Sequence, residues 1–379
     1  MPDLVAIDLP GGHAFVEALE SVWEAGDAAA PLDQRLAPPA RRRLLDMLRP
    51  SRVISADGAE RCERALPVDD GDALVVATSS STGAPKGVVL THEAVAASAR
   101  ATSARLGVAP GRHSWLACLP LSHIGGLSVV TRGLLTGTEL TVLDGFDAAQ
   151  VAANAGDDVF VALVPTTLGR VKAAAFHTVL LGGSAPPTSL PPNVVTTYGM
   201  TETGSGVVYD GLPLDGVDIS ISPEGEILLR GPMLLRAYRD GTVPVDNDGW
   251  FATGDAGVID GTGRLQVEGR LSDLIITGGE NVWPAAVEQI LRRHPGVAEV
   301  AVSSRPDPEW GERVVACVVP ADFSGPPGLV ELRALVAEHL AVFAAPKELV
   351  ILDALPKTSI GKLKRQVLRD QLAGPRNPL

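Results

Sequence analysis

Thr78-Ser-Ser-Ser-Thr-Gly-Ala-Pro-Lys-Gly87 is the stretch on which the reading of this chain turns. Leu74-Val-Val-Ala77 before it reads as a short buried strand, and Val88-Val-Leu90 after it as a second apolar run. A hydroxyl- and glycine-rich loop between apolar strands suits anionic oxygen. It offers short side-chain donors and unobstructed backbone N–H groups, and a lysine adds a point charge. Thr78, Ser79, Ser80, Ser81, Thr82, Gly83 and Lys86 are therefore the first candidates for binding a phosphorylated ligand. The loop is not a Walker A motif, which requires Gly-Lys-Ser/Thr, because Lys86 is followed by Gly87. Taken alone, it can also be read as a polar turn between strands.

Outward from the loop, residues 72–217 alternate short apolar runs with helical stretches, the pattern of parallel α/β units. Strands are expected at 74–77, 87–90, 114–118, 139–143, 159–163, 179–182 and 194–197, and helices at 93–106, 125–136 and 147–154. Residues 1–70 read as helical segments rich in Ala and Arg, broken at Pro38-Pro39 and Pro50, with no motif. From Val217 to Glu268 short strands separated by Gly and Asp turns suggest a small antiparallel barrel or sheet. Asp273–Ile276 opens a last region with an amphipathic helix at 284–293, strands at 297–303 and 313–319, and a helix at 329–341. The expected fold is α/β: a large N-terminal domain of parallel sheets with a β-barrel-like part, and a small α+β C-terminal domain. The short stretch Arg270-Leu-Ser-Asp273 is the natural boundary, giving domains 1–270 and 271–379.

The chain's 379 residues exceed one ordinary core, in keeping with two domains. No stretch approaches eighteen uninterrupted apolar residues, and the N-terminus, Met-Pro-Asp-Leu-Val-Ala-Ile-Asp8, has neither a basic start nor a signal-peptide core, so no secretory leader is expected. Cys62, Cys118 and Cys317 are scattered, without metal-ligand spacing, which suits a reduced cytoplasmic protein. A net charge of −13 argues against nucleic acid as a partner.

Four further stretches carry chemistry. In Tyr198-Gly-Met-Thr-Glu202, at the end of a predicted strand, Tyr198 could stack on a base, Thr201 could donate to phosphate, and Glu202 could hold Mg²⁺ against phosphate oxygens. The alternative is a capped turn, with Thr201 or Glu202 satisfying helix N–H groups. In Trp250-Phe-Ala-Thr-Gly-Asp255 the aspartate could accept both ribose hydroxyls, although Gly-Asp turns are commonly structural. In the run from Gly269 to Pro284, Arg270 is a candidate for ribose or phosphate contact, and Gly278-Gly279 would let the backbone approach a ligand closely. Pro356-Lys-Thr-Ser-Ile-Gly-Lys-Leu-Lys-Arg365 reads as a solvated basic face or, with Gly361 before Lys362, as a presented lysine.

In this order the five stretches resemble the adenylate-forming superfamily of acyl-CoA synthetases, peptide-synthetase adenylation domains and luciferases, from about Asp72 to Arg369. The family's phosphate loop usually reads Thr-Ser-Gly-Thr-Thr-Gly-x-Pro-Lys-Gly; here Ser80 and Ser81 stand where Gly and Thr are usual. The resemblance implies ATP, Mg²⁺ and coenzyme A as cofactor, metal and co-substrate, and an acyl-adenylate intermediate. It implies that Gly182, Gly183 and Ser184 border adenine and the substrate carboxylate, with Tyr198 and Gly199 beside the ring. It assigns Thr201 to the α-phosphate, Glu202 to Mg²⁺, Asp255 and Arg270 to the ribose, and Lys362 to the carboxylate and α-phosphate during adenylation. Gly278-Gly279 would line the pantetheine path, and Asp273 would be the hinge of a mobile C-terminal domain.

Thr203-Gly-Ser-Gly206, Tyr209-Asp-Gly-Leu-Pro-Leu-Asp-Gly216 and Leu119-Pro-Leu-Ser-His-Ile-Gly-Gly-Leu127 are similar to actinobacterial o-succinylbenzoate–CoA ligases of menaquinone synthesis. In that likeness His123 lines the acyl pocket and Arg132 is a candidate partner for the distal succinyl carboxylate. The plainer alternatives are a packed helix-start histidine and an ordinary helix-surface arginine. The expected activity is ATP-dependent ligation of 2-succinylbenzoate to CoA. The alternatives are another aryl or short acyl carboxylate, or a stand-alone adenylation enzyme loading a carrier protein. The expected partners are small molecules, with a homodimer left open.

Overall fold

The computed structural model describes residues 1–79, 85–187, 189–357 and 363–373. Two units divide the chain: 1–220 with 228–252 and 260–265, and 221–227 with 253–259 and 266–379.

The first unit is built on two seven-stranded sheets. Strands β1 (Leu4–Asp8), β2 (Ala28–Pro31), β3 (Arg52–Ser55), β4 (Gly58–Arg61), β5 (Asp72–Ser79) and β6 (Pro85–Thr91) form one of them with the later β16 (Ala237–Tyr238). Their order is β16-β6-β5-β2-β1-β3-β4. Strands β1, β2, β3 and β5 run parallel within it. The second sheet holds β7 (Ser114–Ala117), β8 (Glu139–Val142), β9 (Val159–Leu163), β10 (Thr178–Leu181), β11 (Val194–Met200), β12 (Ser205–Tyr209) and β13 (Leu212–Pro213). Its order is β13-β12-β11-β10-β9-β7-β8. The strands from β7 to β11 are parallel, as expected, and β12 turns back antiparallel on β11.

Residues 1–70 depart from the helical expectation. They do contain α1 (His13–Glu24) and α2 (Pro38–Leu48), but also four strands of the first sheet. Leu4-Val-Ala-Ile7 and Ala28-Ala-Ala30 are all 0% exposed. Alanine's high helix propensity is a weak preference, and burial in the centre of a sheet overrides it. A second difference concerns β5 and β6, which pair antiparallel with Thr78 opposite Lys86, making a hairpin rather than another parallel unit.

Helices α3 (His92–Leu106) and α4 (Ile124–Thr136) pack on each other. Helix α3 also touches β5 and β6, α4 touches β7, β8 and β9, and both touch β12. The two helices thus form the layer between the sheets. The buried face of α3 is small (Ala94, Ser98, Ala99 and Thr102), while Gly126 and Gly133 let α4 lie close to Leu119 and to Leu140 of β8, where a Cβ would come within 2.5 Å of Leu119 O and 3.0 Å of Leu140 Cβ. Helix α3 is specified locally: Thr91 Oγ1 accepts from Ala94 N at 3.1 Å, Glu93 lies in the first turn, Arg105 in the last, and Gly107 ends the helix at φ 65°. On the outer faces, Leu44 and Leu48 of α2 join the core of the first sheet. Val151 of α5 (Ala148–Ala153) joins that of the second, which also takes in the short α6 (Pro165–Leu168) through Leu168.

Strands β14 (Asp218–Ile221), β15 (Glu226–Arg230), β17 (Phe251–Ile259) and β18 (Leu265–Arg270) form a four-stranded sheet, so of barrel or sheet it is the sheet that is found. The rest of the second unit is α+β. Strands β19 (Ile275–Thr277), β20 (Glu280–Val282), β21 (Val297–Asp307) and β22 (Gly311–Pro320) lie in the order β20-β19-β22-β21, with β23 (Glu348–Ile351) parallel to β22. Val287 and Leu291 of α7 (Pro284–Leu291) and Leu332 and Val336 of α8 (Leu329–Ala337) fill one core against this sheet. Leu368 and Leu372 of α9 (Arg365–Ala373) fill a second with Val315 and Cys317. None of the helices among the described residues is long and apolar enough to cross a membrane.

Candidate active site

In open α/β sheets, ligands bind outside the carboxyl ends of the parallel strands. In the first unit those ends of the two sheets meet. Gly11, after β1, approaches Leu143, after β8, so closely that a Cβ would lie 2.0 Å from the Leu143 carbonyl oxygen. Asp33, after β2, faces His123, after β7, with Oδ2 3.8 Å from Nε2. Glu202, after β11, accepts a hydrogen bond from Tyr238 on β16 at 3.0 Å. Of the predicted phosphate-loop residues, Thr78, Ser79 and Lys86 fall along this edge, as do the predicted adenine-side residues. Thr78 and Ser79 end β5; Ser80, Ser81, Thr82 and Gly83 lie outside the described residues. Gly182, Gly183 and Ser184 follow β10, and Tyr198 and Gly199 belong to β11 itself.

Lys86 and Glu202 come together through Tyr238, a residue that no sequence motif singles out. The Lys86 ammonium sits 4.7 Å from the centre of the Tyr238 ring, whose hydroxyl donates to Glu202 Oε1. Tyr238 is placed by β16 pairing with Val88 on β6, and by Arg236, which forks Asp72 with Nε at 2.8 Å and Nη2 at 2.7 Å. Beside Lys86 and Tyr238 opens a cavity of about 320 Å³, also lined by Arg239 and Asp240.

The turn Thr201–Thr203 bears directly on the capping alternative. Thr203, not Thr201 or Glu202, satisfies it: its hydroxyl accepts from Met200 N at 2.9 Å and donates to Ser205 O at 2.6 Å. The capping bonds therefore leave Thr201 and the Glu202 carboxylate to other work, and both residues are half-buried at the edge of the crevice. A carboxylate oxygen beside a hydroxyl fits Mg²⁺, which is commonly held by one or two carboxylates together with substrate phosphates. Gly199 is required by close approach, since a Cβ there would lie 2.1 Å from Ser205 O.

His123 begins α4, as the plainer alternative had it, but its side chain does not cap the helix. Arg132 is not a surface arginine. It is 3% exposed, its Nη2 donates to Ser205 Oγ at 2.8 Å, and its guanidinium lies 5.4 Å from the centre of the Trp115 ring. Its Nε is buried with no partner among the described residues. Burial holds this guanidinium below its ordinary pKa, because the charge is desolvated and no carboxylate among the described residues pairs with it.

In the second unit, buried Asp255 pairs with Arg270, Oδ1 to Nε 2.8 Å, and Arg270 Nη1 donates to Thr253 O at 3.1 Å. Asp273 is gripped by two arginines of α9: Arg365 Nε at 3.3 Å and Arg369 Nη2 at 3.0 Å. Gly278 and Gly279 join β19 to β20 with φ of 63° and 82°, a left-handed pair suited to glycine. Lys362 lies outside the described residues.

With this geometry in view, the chain can be set beside known proteins. Residues 60–239 match the AMP-binding enzyme family, and residues 286–362 the AMP-binding enzyme C-terminal domain. A probable 2-succinylbenzoate–CoA ligase of Mycobacterium tuberculosis is 40% identical over 336 residues, 81% of this chain and 86% of that protein. The o-succinylbenzoate CoA synthetase of Bacillus subtilis, in complex with its acyl-adenylate intermediate, superposes with a TM-score of 0.85 at 30% identity, over 99% of this chain and 88% of that one. The same enzyme with ATP and magnesium ion gives 0.82 at 29%, over 97% and 89%. The chain belongs to the AMP-binding, adenylate-forming enzymes. Within them it is a member of the family of 2-succinylbenzoate–CoA ligases.

Proposed function

We propose that this chain is an AMP-forming acid–CoA ligase whose substrate is 2-succinylbenzoate. The substrate carboxylate attacks the α-phosphorus of ATP, giving an acyl-adenylate and pyrophosphate. The thiol of CoA then takes the acyl group and AMP leaves, a step that belongs to menaquinone biosynthesis. The observation that carries this reading is the Lys86–Tyr238–Glu202 cluster at the joined carboxyl ends of the two sheets, in a chain of this family.

The first step brings anion to anion, so the site must neutralise charge and hold the attack in line. In this reading the hydroxyls from Thr78 to Thr82, Gly83 and Lys86 bind the ATP phosphates, and Thr201 donates to the α-phosphate. Glu202 holds Mg²⁺, which supplies positive charge to the phosphate oxygens. Gly182, Gly183, Ser184, Tyr198 and Gly199 border adenine; Asp255 and Arg270 hold the ribose; Lys362 neutralises the reacting carboxylate and α-phosphate. Gly278 and Gly279 line the path of CoA. Asp273 is the hinge between domains 1–270 and 271–379, the second of them mobile. The protein works in the cytoplasm. Glu202→Gln is expected to raise the Mg²⁺ concentration for half-maximal rate and to depress turnover, because a neutral amide is a poorer ligand for a hard cation. A Mg²⁺ titration of the CoA-ester rate checks this, and an unchanged midpoint removes Glu202 from the metal site.

The substrate follows from Arg132. A buried guanidinium whose polar partner among the described residues is a single hydroxyl is an uncompensated charge, and a substrate with a second carboxylate would compensate it. His123 then lines the acyl pocket nearer its mouth. A carboxylate panel scored by CoA-ester formation tests the assignment: 2-succinylbenzoate should exceed benzoate, fatty acids, and the two analogues that each lack one of its carboxylates. Arg132→Ala should erase the preference over the analogue that keeps the reacting carboxylate and lacks the other. Equal losses on dicarboxylate and analogues would make the arginine structural, and a better rate with benzoate or a fatty acid would overturn the substrate.

A further inference from the structure

Residues 1–59 precede the part of the chain matched by the AMP-binding family, and the proposed chemistry uses none of them. One of their side chains nevertheless reaches the site. We infer that Asp33 is a positioning residue, which fixes the imidazole of His123 for binding of the acyl substrate; this rests on the reading of His123 as an acyl-pocket residue.

The geometry is unusually restrained for a loop. Asp33 follows β2, and its Oδ1 accepts from Arg35 N at 3.0 Å, closing a tight turn on itself. Arg35 then forks the same carboxylate, Nε to Oδ1 and Nη2 to Oδ2, both at 2.8 Å. A bidentate fork fixes the plane of a carboxylate as well as its distance. The Asp33 side chain is only 12% exposed, while Arg35 is 42% exposed, so the arginine braces it from the solvent side. On the other side Oδ2 stands 3.8 Å from His123 Nε2.

The backbone of His123 is committed to the start of α4, its carbonyl accepting from Gly126 N at 3.1 Å and Leu127 N at 3.0 Å, while its side chain makes no capping bond. The helix therefore sets where the Cα is and leaves the ring's rotation to its surroundings. A carboxylate already held in plane by Arg35 biases the ring toward the orientation with Nε2 facing Asp33, and most strongly when the imidazole is protonated. The carboxyl ends of the two sheets are in this way linked at the mouth of the acyl pocket.

A double-mutant cycle tests the inference, with Asp33→Ala, His123→Ala and the pair, assayed by pyrophosphate exchange with the best carboxylate of the panel. Asp33→Ala is expected to lower kcat/KM for the carboxylate about tenfold, mostly through KM, while KM for ATP stays within about twofold. In the His123→Ala background the same change should alter kcat/KM by less than about twofold. An undiminished effect in that background, or a parallel rise in KM for ATP, would overturn the role and leave Asp33 a scaffold residue. If Asp33→Ala does not fold, Asp33→Asn keeps the turn acceptor and takes its place in the same cycle, where the same two results support or overturn the role. A different carboxylate heading the panel would sink the 2-succinylbenzoate reading without touching this one.

Discussion

Gly199→Ala is expected to lower ATP–pyrophosphate exchange about a hundredfold and to lower the melting temperature as well. The Cβ of any residue at 199 would lie 2.1 Å from Ser205 O, 2.6 Å from Gly206 Cα and 2.9 Å from Ser205 C. All three atoms are backbone, so no side chain can swing aside, and β11 and β12 must part by roughly an ångström. Overpacking of this kind typically costs about 1–3 kcal/mol. The larger effect is on chemistry. The pairing of β11 with β12 shifts register between Tyr198 and Gly199, and the two strands are joined by the turn that carries Thr201 and Glu202. Parting them displaces all three side chains at once, and a misplacement of about 1 Å can cost about 10² in rate. Exchange kinetics and a thermal melt on the same preparation check this. A less stable variant with unchanged exchange would show that the turn does not depend on the close approach.

The candidate residues are legible in the sequence where they are local. The hydroxyl loop, Tyr198–Glu202 and Gly278-Gly279 each place chemistry-bearing residues within a few positions, next to apolar runs that read as strands. What was not legible depends on pairing between distant segments. Tyr238 reaches Glu202 because β16 adds to the edge of β6, and no local pattern marks a two-residue strand. Asp33 reaches His123 because β2 lies inside a sheet whose alanines read as helix. The choice between a pocket and a surface position for Arg132 was open for a related reason: within α4 it looks like a polar position, and its burial comes with contacts to Ser205 of β12 and to Trp115, both outside the helix pattern. Periodicity reports the face a helix turns to its nearest sheet. It does not report that α3 and α4 lie between two sheets and have little outer face to spare.

Lys362→Ala is expected to reduce adenylation by on the order of 10²–10³ while transfer to CoA from a preformed acyl-adenylate changes little. The magnitude is that of losing one transition-state donor, and the asymmetry follows from the proposed role: charge builds on the α-phosphate and carboxylate only while pyrophosphate is leaving. The residues flanking the lysine make it a clean test. Lys357 pairs antiparallel with Leu363, and Lys364 N donates to Pro356 O at 2.8 Å. Lys357 is further tied to Glu299, and Arg365 to Glu288 at 2.8 Å and to Val302 O at 3.0 Å. These anchors hold the described residues on either side of Lys362, so its truncation should remove a charge and leave the second unit folded. The measurement is two half-reactions on one variant: pyrophosphate exchange for the first, and thioester formation from synthetic acyl-adenylate and CoA for the second. If both fall together, Lys362 does not act in adenylation alone; if neither falls, the neutralising charge in the first step comes from elsewhere, with Lys86 the next residue to replace.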